Sequence, residues 1–183
     1  QRTDAWYIFR HKYLTASSIW KAFSTKGSIN QLIYNKCKPL NTSKFKGFHT
    51  DSPMHWGQKY EPVSTLYYEY INNTKVTEFG CIPHSDYSFI GASPDGIICD
   101  SSSNLFGRML EIKNVVSREI TGIPKMEYWI QMQLQMEVCE LDECDFLETK
   151  FTEYINEEEY IEDMDTKYKG IILQYLKDEE PYY

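Results

Sequence analysis

A mixed α/β (α+β) fold is predicted by three features of this chain. Apolar residues recur at helical spacing over 53–71, a long helical stretch without glycine or proline follows at 125–139, and short strand-like runs lie between them. Helices first, a central sheet, one more helix and returning strands make a mixed β-sheet flanked by helices. At 183 residues the chain is long enough for one well-packed domain and short for two.

Taken in order, Thr15-Ala16-Ser17-Ser18 ahead of Ile19, Trp20, Ala22 and Phe23 is an N-cap signal followed by an amphipathic helix. A second short helix is expected over 28–36. From 36 to 49 the chain reads as a loop in which Lys36, Lys38, Lys44 and Lys46 alternate with Pro39, Phe45 and Phe48. Such a loop can follow a nucleic-acid backbone and stack on bases, and a solvated loop pinned by two phenylalanines has the same composition. Over 53–71, Trp56, Tyr60, Val63, Tyr67 and Tyr70 with Ile71 mark a long helix, which Pro62 is expected to bend or restart. Strands are expected at about 75–83, 88–92, 96–100 and 107–116, with a turn-rich connection at 101–107. After the helix at 125–139 come a strand over 144–154, an acidic helix over 157–164 and a last strand over 168–176. The whole of 1–183 reads as a single domain, 1–60 as its basic helical part and 61–183 as its chemical core.

Composition narrows the classes. An apolar fraction of 42% with 25% charged residues is that of an ordinary globular protein. No run reaches the roughly 18 apolar residues of a membrane span, and Arg2, Asp4, Arg10 and Lys12 interrupt any signal-peptide core. The chain lacks an initiator Met, so a fragment is expected. Five cysteines (Cys37, Cys81, Cys99, Cys139, Cys144) include no CxxC pair, which argues against structural zinc or an iron–sulfur cluster. Reduced, mostly buried thiols in an intracellular, reducing compartment are expected: the cytoplasm, of a host cell if the source is viral. The net charge of −8 hides a division: residues 1–60 hold ten Lys and Arg against two Asp and Glu, residues 61–183 nine against twenty-five. A basic first third suggests a face for phosphates; charge segregation without a partner gives the same counts.

The chemistry concentrates in Ser93-Pro94-Asp95-Gly96 and Glu111-Ile112-Lys113, sixteen residues apart from Asp95 to Glu111. Residues two apart on a strand share a face, so Glu111 and Lys113 emerge together while Ile112 turns away. With Asp95 on the neighbouring strand, two carboxylates meet one amine. Such a sparse oxygen set suits Mg²⁺, which keeps several waters and takes further oxygens from a phosphate. Gln131 and Gln135 share one helix face and Gln133 lies nearly opposite, so the three cannot all serve one site. The run Glu157-Glu158-Glu159 with Glu162, Asp163 and Asp165 reads as a solvated face, and His49, His55 and His84 lack ligand spacing.

Together these pieces resemble the phage-lambda-type alkaline exonucleases, or viral recombinases, of the PD-(D/E)XK nuclease superfamily. The resemblance spans about 5–155 and rests on five motifs in order. These are Ala5-Trp6 with Arg10 and Thr15-Ala16-Ser17; Trp56-Gly57-Gln58-Lys59-Tyr60-Glu61; Ser93-Pro94-Asp95-Gly96; Leu110-Glu111-Ile112-Lys113; and Gln131-Met132-Gln133. It implies a restriction-endonuclease-like core. It also implies Asp95 and Glu111 as metal ligands, joined by Glu61 and by Asp86, which stands one residue from the family's position. Lys113 would orient the attacking water and Gln133 the water or metal hydration shell, while Arg10, Ser17 and Ser93 would hold a terminal 5′-phosphate. The implied activity is Mg²⁺-dependent 5′→3′ digestion of double-stranded DNA ends, with Mn²⁺ able to substitute. The implied partners are a single-strand annealing recombination protein and two further copies in a ring-shaped homotrimer. Where the family often has a cysteine and proline after the lysine, this chain has Asn114-Val115-Val116. Because a metal core does not set substrate geometry, an endonuclease or single-strand nuclease on the same core stays open. So does a catalytically inactive DNA-binding protein.

Overall fold

The computed structural model of the chain describes residues 3–41, 52–177 and 180–183. It begins with α1 (Asp4–His11), whose N-cap Thr3 accepts the Trp6 N–H at 3.2 Å. Periodicity assigns no element there, because eight residues give barely two turns of pattern. Strand β1 (Leu14–Thr15) leads into α2 (Ala16–Ile19), which tightens into a 3₁₀ turn over Trp20–Phe23, so the expected single helix is two short turns. The expected helix at 28–36 is α3 (Lys26–Cys37), capped by Thr25. Lys44, Phe45, Lys46, Phe48 and His49 lie outside the described residues.

Helix α4 (Pro53–Asn72) is continuous through Pro62. Pro62 is exposed, so its ring meets solvent while the helix loses one backbone hydrogen bond. Ser52 caps the start of α4, and Asn73, at φ 47°, ends it in the left-handed region that asparagine tolerates. Then follow β2 (Ile82–Pro83), β3 (Ile90–Ala92), β4 (Gly96–Ile97), β5 (Met109–Val115), α5 (Met126–Cys139), β6 (Cys144–Lys150), α6 (Glu157–Glu162), β7 (Tyr175–Lys177) and β8 (Glu180–Tyr182).

Strand β3 lies between β1, parallel with Thr15 opposite Gly91, and antiparallel β2. Strand β5 lies between antiparallel β4 and parallel β6, with Glu111 opposite Phe146 and Lys113 opposite Glu148. The chain crosses from the first sheet to the second at 93–95, and β7 pairs with β8 apart from both. Every expected strand is shorter than its run, 96–100 forming only Gly96–Ile97. Of 75–83 only Ile82–Pro83 pairs, with an isolated bridge from Thr77 to Ile97. The strand at 144 stops at Lys150, and of 168–176 only the last two residues enter a ladder.

Alternation along β5 sorts its side chains. Leu110 and Ile112 pack with Tyr68 of α4 and Ile98, and Glu111 turns to α5. A second cluster joins Ala16, Ala92 and Val138 of α5. Gly96 is required where it stands, since a Cβ there would come within 2.0 Å of Val76 Cγ1. All five cysteines are free, but the expected burial fails: Cys37 and Cys99 are exposed and the other three half-buried. Among the described residues no helix is long and apolar enough to cross a membrane.

Candidate active site

Asp95 stands in the bend between β3 and β4, where its Oδ2 accepts the Ile112 N–H at 2.7 Å. This single bond ties the bend to β5 and places Asp95 beside Glu111. Glu111 is 1% exposed. Its Oε1 accepts from Lys113 Nζ and, at 2.7 Å, from Gln131 Nε2, while Oε2 accepts from Gln135 Nε2 at 2.8 Å. Gln131 and Gln135 lie one turn apart on the face of α5 that covers the sheet. Gln135 also reaches the Ser93 carbonyl at 3.3 Å, so α5 fastens both ends of the site.

A cleft of about 600 Å³ opens over these groups, with Asp95 and Lys113 at its floor. Glu61 and Gly57 line one wall, and Arg118, Lys125 and Tyr128 another. Burial first, then the charge of Glu111 with a contribution from Glu61, pushes the Asp95 carboxyl well above the usual carboxylate range. Burial disfavours the ammonium of Lys113, yet Glu111 and Asp95 outweigh it and raise its pKa. Asp95 and Lys113 thus both hold their protons more tightly beside Glu111. Among the described residues no three of His, Cys, Asp and Glu gather into a metal cage. The donors that fit a hard cation are the two carboxylates Asp95 and Glu111 with Glu61 facing them, few enough to suit Mg²⁺ with its retained waters.

Glu61 is held in place through its helix. Asn114 donates Nδ2–H to the Gly57 carbonyl at 2.9 Å, one turn before Glu61. Its Oδ1 accepts from Ser64 of α4 at 2.6 Å and from Thr149 of β6 at 2.7 Å. The residue that departs from the resemblance after Lys113 therefore latches α4 to the strands.

Two expected site residues do not join the site. Gln133 is exposed, because the face of α5 that meets Glu111 belongs to Gln131 and Gln135. Asp86 is exposed in the turn before β3, where its N–H donates to His84 Nδ1, and it does not line the cleft. His84 is accounted for by that turn, accepting from both Asp86 and Tyr87.

The three residues expected at a terminal phosphate gather at the other end of α5. Arg10 Nη2 donates to Ser17 Oγ at 2.9 Å, and its guanidinium lies 4.2 Å over the Trp6 ring. Strands β1 and β3 run parallel in register, and Ala16 and Ala92 share one core cluster, so Ser17 and Ser93 leave the sheet at the same end. Ser93 Oγ is buried without a hydrogen-bond partner. Sequence reasoning missed Tyr128, Lys125 and Arg118. The signal for Tyr128 was its spacing of three before Gln131 on α5; Arg118 carried none.

The chain belongs to the YqaJ-like viral recombinase domain family, whose model matches residues 5–142. It is 35% identical over 189 residues to an uncharacterised protein of Acanthamoeba polyphaga mimivirus, covering 93% of this chain and 33% of that protein. The chain thus spans about a third of the length of the curated relative it matches. Among solved structures it is similar to an alkaline exonuclease from Laribacter hongkongensis, at 28% identity and a TM-score of 0.63 over 81% of this chain and 74% of that one. It is similar also to that enzyme in complex with dAMP, at 26% identity and a TM-score of 0.63 over 86% and 78%. The fold is restriction-endonuclease-like.

Proposed function

We propose that this chain is a Mg²⁺-dependent deoxyribonuclease that digests linear duplex DNA from its 5′ ends and leaves a 3′ single strand. One observation carries the reading: Asp95 and Lys113 line a single cleft, and the buried Glu111 carboxylate stands directly behind them in contact with Lys113. The likeness to a solved alkaline exonuclease supports it. Asp95 and Glu111 would hold the metal, with Glu61 facing it, and Mn²⁺ is expected to substitute. When bound, the ion supplies Lewis acidity toward a phosphate oxygen and toward water.

The remaining roles belong to side chains. Lys113 exchanges its contact with Glu111 for the entering phosphate and water, orienting the nucleophile and offsetting charge in the transition state. Gln131 and Gln135 keep the Glu111 carboxylate fixed while that exchange happens. Arg10 and Ser17, with the unpartnered hydroxyl of Ser93, take a terminal 5′-phosphate, for which a guanidinium offers paired donors. Capture of that end sets the direction of digestion. A protein that anneals the exposed single strand is the expected partner, and a ring-shaped homotrimer the expected assembly.

The test is digestion of linear and covalently closed duplex in Mg²⁺ by the wild type and Lys113→Ala. Linear DNA should disappear, closed circles should persist, and the variant should be slower by about a thousandfold. Undiminished digestion by the variant removes the mechanism, and cleavage of circles turns the reading to an endonuclease.

A further inference from the structure

Helix α5 works as a ruler across the site. Tyr128, Gln131, Gln135 and Val138 follow one another along one face. Gln131 and Gln135 hold Glu111, and Val138 packs on Ala16 and Ala92, the neighbours of Ser17 and Ser93. The carboxylates therefore lie between the Arg10–Ser17 end and the Tyr128 end. From Tyr128 to Val138 the helix rises about 15 Å, and two steps along a DNA strand cover at least about 7 Å. A strand whose terminal phosphate sits at Arg10 and whose scissile phosphate sits at Asp95 has its next phosphate near Tyr128.

What stands there is cationic. Lys113 Nζ, Arg118 Cζ and Lys125 Nζ lie 5.1, 6.0 and 6.0 Å from the centre of the Tyr128 ring. Arg118 is fixed: Nη2 donates to Glu148, whose side chain is 4% exposed, and Nη1 donates to the Glu119 carbonyl at 3.2 Å. These bonds use two of the five N–H donors of the guanidinium. Lys125 is the N-cap of α5 and makes no side-chain cap bond. The Tyr128 N–H already donates to its carbonyl at 2.9 Å and Glu127 stands in the first turn, so the ammonium rather than the helix end is what Lys125 offers an anion. Arg118, Lys125 and Tyr128 all line the cleft.

We propose that Arg118 and Lys125, mounted around Tyr128, form a subsite for the second phosphodiester of the digested strand, the one following the scissile bond. The inference rests on the nuclease reading above. Binding there supplies affinity and alignment from a part of the substrate that does not react.

The experiment removes one charge from each side. A 5′-phosphorylated duplex carries a single neutral methylphosphonate between its second and third nucleotides, and kcat/KM is measured for the wild type, R118A/K125A and R118K/K125R. The modification should slow the wild type about tenfold, the scale of a charge-assisted hydrogen bond. It should leave R118A/K125A within about twofold, with the all-phosphate duplex already slow for that variant. R118K/K125R should regain the sensitivity. Equal sensitivity of the wild type and R118A/K125A overturns the subsite. If the wild type cleaves no linear duplex, the nuclease reading itself fails. The subsite is then judged from fluorescence anisotropy of the same duplex with metal-free protein, where R118A/K125A should flatten the log Kd against log salt slope by about one, the loss of a single phosphate contact. An unchanged slope overturns the proposal.

Discussion

Gln135 donates its amide to Oε2 of Glu111 at 2.8 Å, a bond buried between a helix and a strand twenty-four residues apart in sequence. Replacing Gln135 by Leu leaves a buried carboxylate oxygen without a donor, a loss of about 1–3 kcal/mol. Gln131→Leu should lose less, because Oε1 keeps the Lys113 donor, and Gln133→Ala, on the exposed face, should change stability by less than about 0.5 kcal/mol. Urea denaturation of the three variants checks this, and a large loss at Gln133 would contradict the orientation of α5.

Asp95 offers a pH dependence of defined sign. Its folded carboxyl binds a proton more tightly than the unfolded one, so its ionisation opposes folding. The penalty begins as pH rises above the ordinary carboxylate value of about 3.9 and is complete once pH exceeds the raised folded value. Asp95→Asn retains an acceptor for the Ile112 N–H and removes the charge. In metal-free protein its melting temperature at pH 7 to 8 should exceed that of the wild type, with the difference shrinking on acidification, while cleavage is lost. Mg²⁺ should raise the melting temperature of the wild type and not of the variant. Thermal melts from pH 4 to 8 with and without Mg²⁺ decide the matter.

Gly96 packs against Val76 with no room for a methyl group. Gly96→Ala should destabilise by about 1–3 kcal/mol, and adding Val76→Ala should restore part of that loss by vacating the space. A double-mutant cycle in urea measures the coupling; simple additivity would show that the contact is not the cause.

Arg10 should set end preference rather than chemistry. Arg10→Ala is expected to reduce the preference for 5′-phosphate over 5′-hydroxyl ends about tenfold or more, with far less effect on 5′-hydroxyl duplex. Rates on the two ends, compared for the wild type, Arg10→Ala and Ser17→Ala, test the assignment. Equal slowing on both ends would remove Arg10 from the phosphate pocket.

Much of this was legible in sequence because the relevant signals are local. The period-two placement of Glu111 and Lys113 and the helical spacing of α4 and α5 survive intact. The turn Ser93-Pro94-Asp95-Gly96 delivers Asp95 where expected because Gly96 permits the close approach of Val76. What escaped is set by tertiary contact. Spacing separates Gln131 and Gln135 from Gln133, yet only the packing of α5 on β5 reveals which face Glu111 meets. Arg118 sits in an irregular connection, and its partner Glu148 comes from β6, thirty residues on. Strand lengths failed for the same reason: apolar side chains mark a run, but a ladder needs a neighbouring backbone, which 168–174 does not find among the described residues.

The Asn114 amide, gripping the Gly57 carbonyl while its oxygen takes Ser64 and Thr149, makes α4 a fixed beam rather than a moving jaw. The wall of the cleft that α4 builds is therefore tied to the strands. On the proposed nuclease reading, the wall that carries Glu61 needs no rearrangement to admit a strand.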